Sequence, residues 1–169
     1  MQENFEVQLS LAIPDDASKL IDLLTQLKQE SDTFTIDPEL GDMTVKQQSK
    51  QIMLVNQTRG NVIIVAKYLD TIIGLVTVQE LDNSGCGELG VAVLKQYWNC
   101  GLGTKLVMES INWGINYSNL SEIALIVKKN NKPAIHVYEK CGFNFSKHRL
   151  INIQENYHST YEMQIKVKK

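Results

Sequence analysis

The chain has 169 residues, 43% hydrophobic and 21% charged, with 17 lysines and arginines against 19 acidic residues for a net charge of −2. That length and balance suit a single soluble domain over residues 1–169 and exclude a disordered or collagen-like chain. The near-neutral charge provides no broad positive field for nucleic acid or an anionic membrane, so the expected partner is a small molecule or a protein.

The N-terminal MQENFEVQ lacks the basic-then-apolar order of a leader, and no run of roughly 18 apolar residues occurs, so the expected location is the cytoplasm. Three cysteines, Cys86, Cys100 and Cys141, are an odd number at spacings that match no zinc or CxxC pattern. His136, His148 and His158 do not fall at a metal-ligand spacing either, and no metal is expected.

Residues 7–13 alternate, with Val7, Leu9, Leu11 and Ile13 on one side, which predicts a half-buried strand. Pro14, Asp15 and Asp16 start a helix whose inner face is Ala17, Leu20, Ile21, Leu24 and Leu27. From Glu30 to Met43 the sequence ESDTFTIDPELGDM has no period and reads as a loop of the length that often carries function. Thr44 and Gln47 have capping-box spacing and open a second helix with Ile52, Met53 and Val55, ending near Arg59 and Gly60.

Two β-branched runs, VIIVAKY at 62–68 and IIGLVTV at 72–78, predict a hairpin, and CGELGVAVL at 86–94 adds a third strand through Leu89, Val91 and Val93. Leu102, Leu106, Val107, Ile111 and Ile115 then mark a helix, and EIALIV at 122–127 a short strand. Asn130, Asn131, Lys132 and Pro133 start a last helix with Ala134, Ile135 and Tyr138 inward and Gly142 as its stop. Phe143 to Ile151 and the alternating Tyr161, Met163, Ile165 and Val167 are strand-like. The order predicts an α+β fold around a mixed, mostly antiparallel sheet of about seven strands flanked by about four helices.

The stretch QYWNCGLGTKL at 96–106 places glycines ahead of a helix that begins near Leu102. Unpaired N–H groups and the positive end of the helix dipole suit a phosphate there, and glycine lets it come close. A Walker loop needs glycine and lysine where Trp98 and Thr104 stand, and a dinucleotide fingerprint needs glycine where Leu106 stands. In the latter reading Glu122 opens its strand instead of closing it.

With NKPAIHVYEKCGF at 131–143, this stretch resembles the Gcn5-related N-acetyltransferase (GNAT) family, and the likeness extends along most of the chain. The family's loop, Arg/Gln-x-x-Gly-x-Gly/Ala, sets Gly101 and Gly103 on the glycines and Trp98 on the Arg/Gln position, which is a departure. The resemblance implies acetyl-CoA as donor. Its diphosphate would lie on the amides of Asn99, Cys100, Gly101, Leu102, Gly103 and Thr104, after Trp98, and its pantetheine arm beside Val91, Ala92 and Val93. It also implies a V-shaped splay between the fourth and fifth strands, where unpaired backbone groups meet the amides of that arm.

An amine acceptor with a pKa near about 10.4 must lose a proton before it attacks, which calls for a base. Glu88, at the start of the strand beside the thioester, is the candidate base. By the family's Asn-x-x-Ala-x-x-x-Tyr pattern, Asn131 touches the cofactor arm and Tyr138 protonates the departing thiolate. Periodicity alone makes Tyr138 an inward aromatic and Asn131 a helix cap, with Asn130 as its alternate. Cys100 at a helix start is a candidate reactive thiol and Cys141 a packing residue.

The expected activity is transfer of acetyl to a primary amine of a small molecule or a polypeptide. Glu30, Asp32, Asp37, Glu39 and Asp42 would favour a cationic acceptor. The alternative is a CoA-binding sensor without turnover, and the resemblance also implies a homodimer through the C-terminal strands.

Overall fold

A computed structural model describes residues 6–30, 42–146 and 160–168. Its strands are β1 (Gln8–Leu11), β2 (Val62–Tyr68), β3 (Thr71–Glu80), β4 (Cys86–Val93), β5 (Glu122–Lys128), β6 (Asn144–Phe145) and β7 (Thr160–Lys166). Its helices are α1 (Ala17–Glu30), α2 (Val45–Asn56), α3 (Leu102–Asn116) and α4 (Lys132–Lys140). The sheet runs β1-β2-β3-β4-β5-β7-β6, with β4 and β5 parallel and every other neighbouring pair antiparallel.

β2 and β3 supply the centre because their β-branched runs bury consecutive residues, Val62 to Ala66 and Ile72 to Val76, and so have both faces covered. α1 packs on β3, while α3 packs across β2, β3, β4 and β5. Leu20, Leu24 and Ile52 from the first two helices and Leu106 from α3 are each at most 1% exposed. Burial of such side chains is worth roughly 1.5–3 kcal/mol apiece.

The N-terminus of α2 is closed as its sequence dictates: the Thr44 hydroxyl accepts from Gln47 N–H at 3.2 Å, and the Gln47 side chain accepts from Thr44 N–H at 2.9 Å. β1 departs from expectation. Val7 and Leu9 pack on the core, but Leu11 is 50% and Ile13 48% exposed, while Ala12 is the buried residue. β1 pairs only with β2, so as an edge strand it need not keep a covered face over its full length. Beyond it, Asp16 is buried and accepts from Ile13 N–H and from Lys67 Nζ, both at 2.9 Å, which ties the entry to α1 onto β2.

Of the strand expected over 143–151, the structure describes only Asn144–Phe145 as strand, and residues 147–151 lie outside the described residues. Most of the loop expected over 30–43 lies outside them as well. No helix among the described residues is long and apolar enough to cross a membrane.

Candidate active site

β4 stays paired with β3 along its length, from Glu80↔Gly87 to Gly74↔Val93. With β5 it shares only Cys86↔Glu122, Gly87↔Ile123 and Glu88↔Ala124. On its far side β5 remains paired with β7 through Lys128↔Thr160. The two parallel strands therefore part beyond Glu88 and Ala124, and the expected splay is present.

Hydrogen bonds from Leu81 N–H to Cys86 O and from Leu94 N–H to Ile73 O, each 2.9 Å, fix the even-numbered residues of this strand with their main chain toward β3. Val91 and Val93 then turn N–H and C=O toward the gap. Ala92, counted with Val91 and Val93 on sequence, spends its main-chain groups on Leu75 and so leaves only its side chain to the surroundings.

The start of α3 lies after this strand. Gly101 is left-handed at φ 78° and, having no side chain, caps nothing, and the first helical bond is Lys105 N–H to Gly101 O at 3.1 Å. Among the described residues, no protein group accepts from the N–H groups of residues 99–104. Asn99 is also left-handed, at φ 64°, which turns the loop into the helix. A Cβ built on Gly101 or Gly103 meets nothing within 4 Å, so no neighbouring atom crowds the backbone at either position. Converging donors, a helix dipole and bare backbone are what a diphosphate requires.

Trp98 does not extend this cradle. Its indole Nε1–H donates to Val93 O at 2.8 Å, although the side chain is half exposed. Cys100 is exposed and its thiol lies 3.5 Å from Trp98 O.

α4 adjoins the start of α3: the Cys141 thiol donates to Thr104 O at 3.9 Å. That contact sets the C-terminal end of α4, one turn after Tyr138, beside the first turn of α3. Tyr138 is 9% exposed and packs edge-on against Phe143 with ring centroids 6.0 Å apart. Burial, and secondarily the neighbouring Cys141, push its phenol up to about 12, so it keeps its proton through the neutral range. Its hydroxyl has no hydrogen-bond partner among the described residues.

Glu88 stands on the last rung before the strands part. Burial raises its carboxyl above the ordinary value. Asn131 caps α4, its side chain accepting from Ala134 N–H at 3.3 Å, so the cap predicted from sequence is in use.

The acidic candidates at the expected acceptor loop are partly engaged. Glu30 accepts from Lys95 N–H at 2.9 Å, and Asp42 lies 3.6 Å from Lys28 Nζ. Asp32, Asp37 and Glu39 lie outside the described residues. Among the described residues, no group of three His, Cys, Asp or Glu is arranged for a metal.

Two contributors escaped the sequence reading: the Trp98 indole as a brace and Cys141 as a link to Thr104. Neither leaves a local signal, since each joins positions by tertiary contact. The separation of Ala92 from Val91 and Val93 was legible, because strand alternation alone assigns it to the opposite edge.

The acetyltransferase (GNAT) family model matches residues 22–143, and the chain belongs to that family. Over 72 residues it is 33% identical to the spermidine N(1)-acetyltransferase of Escherichia coli, covering 42% of this chain and 39% of that enzyme. Over 55 residues it is 40% identical to an N-alpha-acetyltransferase of Sulfurisphaera tokodaii, covering 32% of this chain and 33% of that one. The chain thus matches well under half the length of these curated relatives. A GNAT-family acetyltransferase from Streptococcus pneumoniae superposes with a TM-score of 0.81 at 26% identity, over 95% of this chain and 99% of that one.

Proposed function

We propose that this protein, acting as one domain over residues 1–169, transfers the acetyl group of acetyl-CoA to a primary amine of a small molecule or of a polypeptide. The observation that carries the reading is the row of N–H groups at 99–104, unpartnered among the described residues, beside strands that part after Glu88 and Ala124.

The residues present fit acetyl-CoA. The amides of 99–104 would hold its diphosphate, and the gap-facing groups of Val91 and Val93 would pair with its pantetheine amides. The bound thioester supplies an acetyl group already activated for attack by nitrogen.

The rest of the chemistry falls to the chain. Glu88, with no ion-pair partner among the described residues and a carboxyl raised by burial, is suited to take the acceptor's proton, directly or through water. The N–H of Val91 or Val93 polarises the thioester oxygen at no reorganisation cost, because the strand holds it in place. Tyr138, protonated well above neutrality and with no hydroxyl partner among the described residues, donates to the departing sulfur. Asn131 caps α4 with its carbonyl oxygen and so offers only its amide N–H groups to the cofactor arm.

The relatives support the amine class more than any single acceptor, since one is named a spermidine N(1)-acetyltransferase and the other an N-alpha-acetyltransferase. The test is release of free thiol from acetyl-CoA across a panel of spermidine, an aminoglycoside, a peptide with a free N-terminus and a lysine peptide. Thiol release dependent on one of these amines supports the reading. No release with any of them, together with no stabilisation by acetyl-CoA, overturns it. Dimerisation through the C-terminal strands belongs to the same proposal and is checked by sedimentation.

A further inference from the structure

We infer that Trp98 is a positioning residue that sets the spacing between the diphosphate-binding loop and the gap-facing edge of β4. The inference rests on the acetyl-CoA reading above, but assigns Trp98 a different part from direct contact with phosphate.

Residues 98–101 hang between two buried anchors, Leu94 at 3% exposure and Leu102 at 4%. Between them Trp98, Asn99, Cys100 and Gly101 are all exposed, so packing does not hold this part of the loop. Asn99, a non-glycine residue held left-handed at φ 64°, adds backbone that relaxes if nothing restrains it. Among the described residues, the bond from Trp98 Nε1–H to Val93 O, 2.8 Å, is the one hydrogen bond from residues 98–101 to the sheet.

The acceptor of that bond is not an ordinary ladder carbonyl. Val93 O is directed away from β3, into the gap that β5 has left. The indole therefore does two things. It fastens the loop carrying the 99–104 amides to the strand carrying Val91, and it satisfies the outermost gap-facing carbonyl from within the protein. A ligand that spans both features meets them at a fixed separation, and its pantetheine is left with Val91 O, Val91 N–H and Val93 N–H.

Fixed separation matters only to a ligand long enough to touch both ends, and this defines the experiment. Trp98→Phe keeps a ring of similar bulk and removes the N–H. Its KM for acetyl-CoA and calorimetric Kd for CoA are expected to rise about three- to tenfold, the range for one lost hydrogen bond. The change should fall on KM more than on kcat, and kcat/KM should fall less with acetyl-pantetheine, which lacks the diphosphate, than with acetyl-CoA. A general loss of structure would lower both donors together and shift the circular-dichroism melting curve.

Equal losses with the two donors, or an unchanged Kd for CoA, overturn the inference. If wild type transfers from neither donor, the acetyltransferase reading fails. The CoA Kd of Trp98→Phe against wild type then still decides the bracing role.

Discussion

Tyr138 and Glu88 show how burial equips two ordinary side chains in opposite ways. The phenol, pushed up to about 12, is a proton donor at every pH an assay would use. Because its hydroxyl has no partner among the described residues, Tyr138→Phe should fold normally yet lower kcat by about 10² or more, the usual worth of a general acid. Since the folded value lies above the usual 10, this group's contribution to stability is complete below pH 10 and lost as the pH rises through 12. Chemical denaturation across that window should show a loss in wild type that the Phe variant lacks. Glu88 is raised as well, by burial, so its contribution to stability is present below the ordinary carboxyl range and lost above it. Glu88→Gln should therefore melt higher than wild type at neutral pH and equally at acid pH, while kcat falls and the acidic limb of kcat/KM disappears. A Gln variant with full activity would remove Glu88 from the mechanism and leave only its cost to stability.

At the scale of elements, the two loop glycines separate two demands. Gly101 needs a left-handed backbone, so Gly101→Ala should cost about 1 kcal/mol, lower the melting temperature by about 2–4 °C and weaken CoA binding. Gly103 lies inside the first turn of α3 with open space around it, so Gly103→Ala should gain about 0.5 kcal/mol and keep binding. In α2, Gln48 is fully buried and neither polar atom of its side-chain amide has a partner among the described residues, a burden of about 1–3 kcal/mol. Gln48→Met should raise the urea midpoint without changing its slope. Elements like these were largely legible because their causes are local. The Thr44 and Gln47 box, the β-branched runs of β2 and β3 and the Asn131 cap each act within a few residues. What stayed hidden depends on distant partners. Leu11 and Ile13 lie exposed because β1 pairs on one side only, and Trp98 finds its acceptor five residues back across a turn. The family likeness implied a splay, but nothing in GVAV or EIALIV marks where pairing ends.

For the molecule as a whole, the sheet is two blocks, β1-β2-β3-β4 and β5-β7-β6, joined by the three pairings from Cys86 to Glu88 and by α3, which packs on both. Beyond that joint β4 and β5 share no strand pairing among the described residues, so a ligand seated between them would supply rungs that the two strands do not make with each other. CoA at about 100 times its Kd should stabilise the fold by roughly 2.7 kcal/mol and raise the melting temperature by roughly 5–10 °C. Melting temperature alone does not locate the gain, but hydrogen exchange does. Seating in the gap should slow exchange at Val91 and Val93 as well as at residues 99–104, because main-chain groups in both places gain partners. ADP, which carries the diphosphate without the pantetheine, should protect 99–104 alone. Protection by CoA confined to 99–104 would mean that the diphosphate is held while the arm lies outside, and the parted strands would then need another occupant.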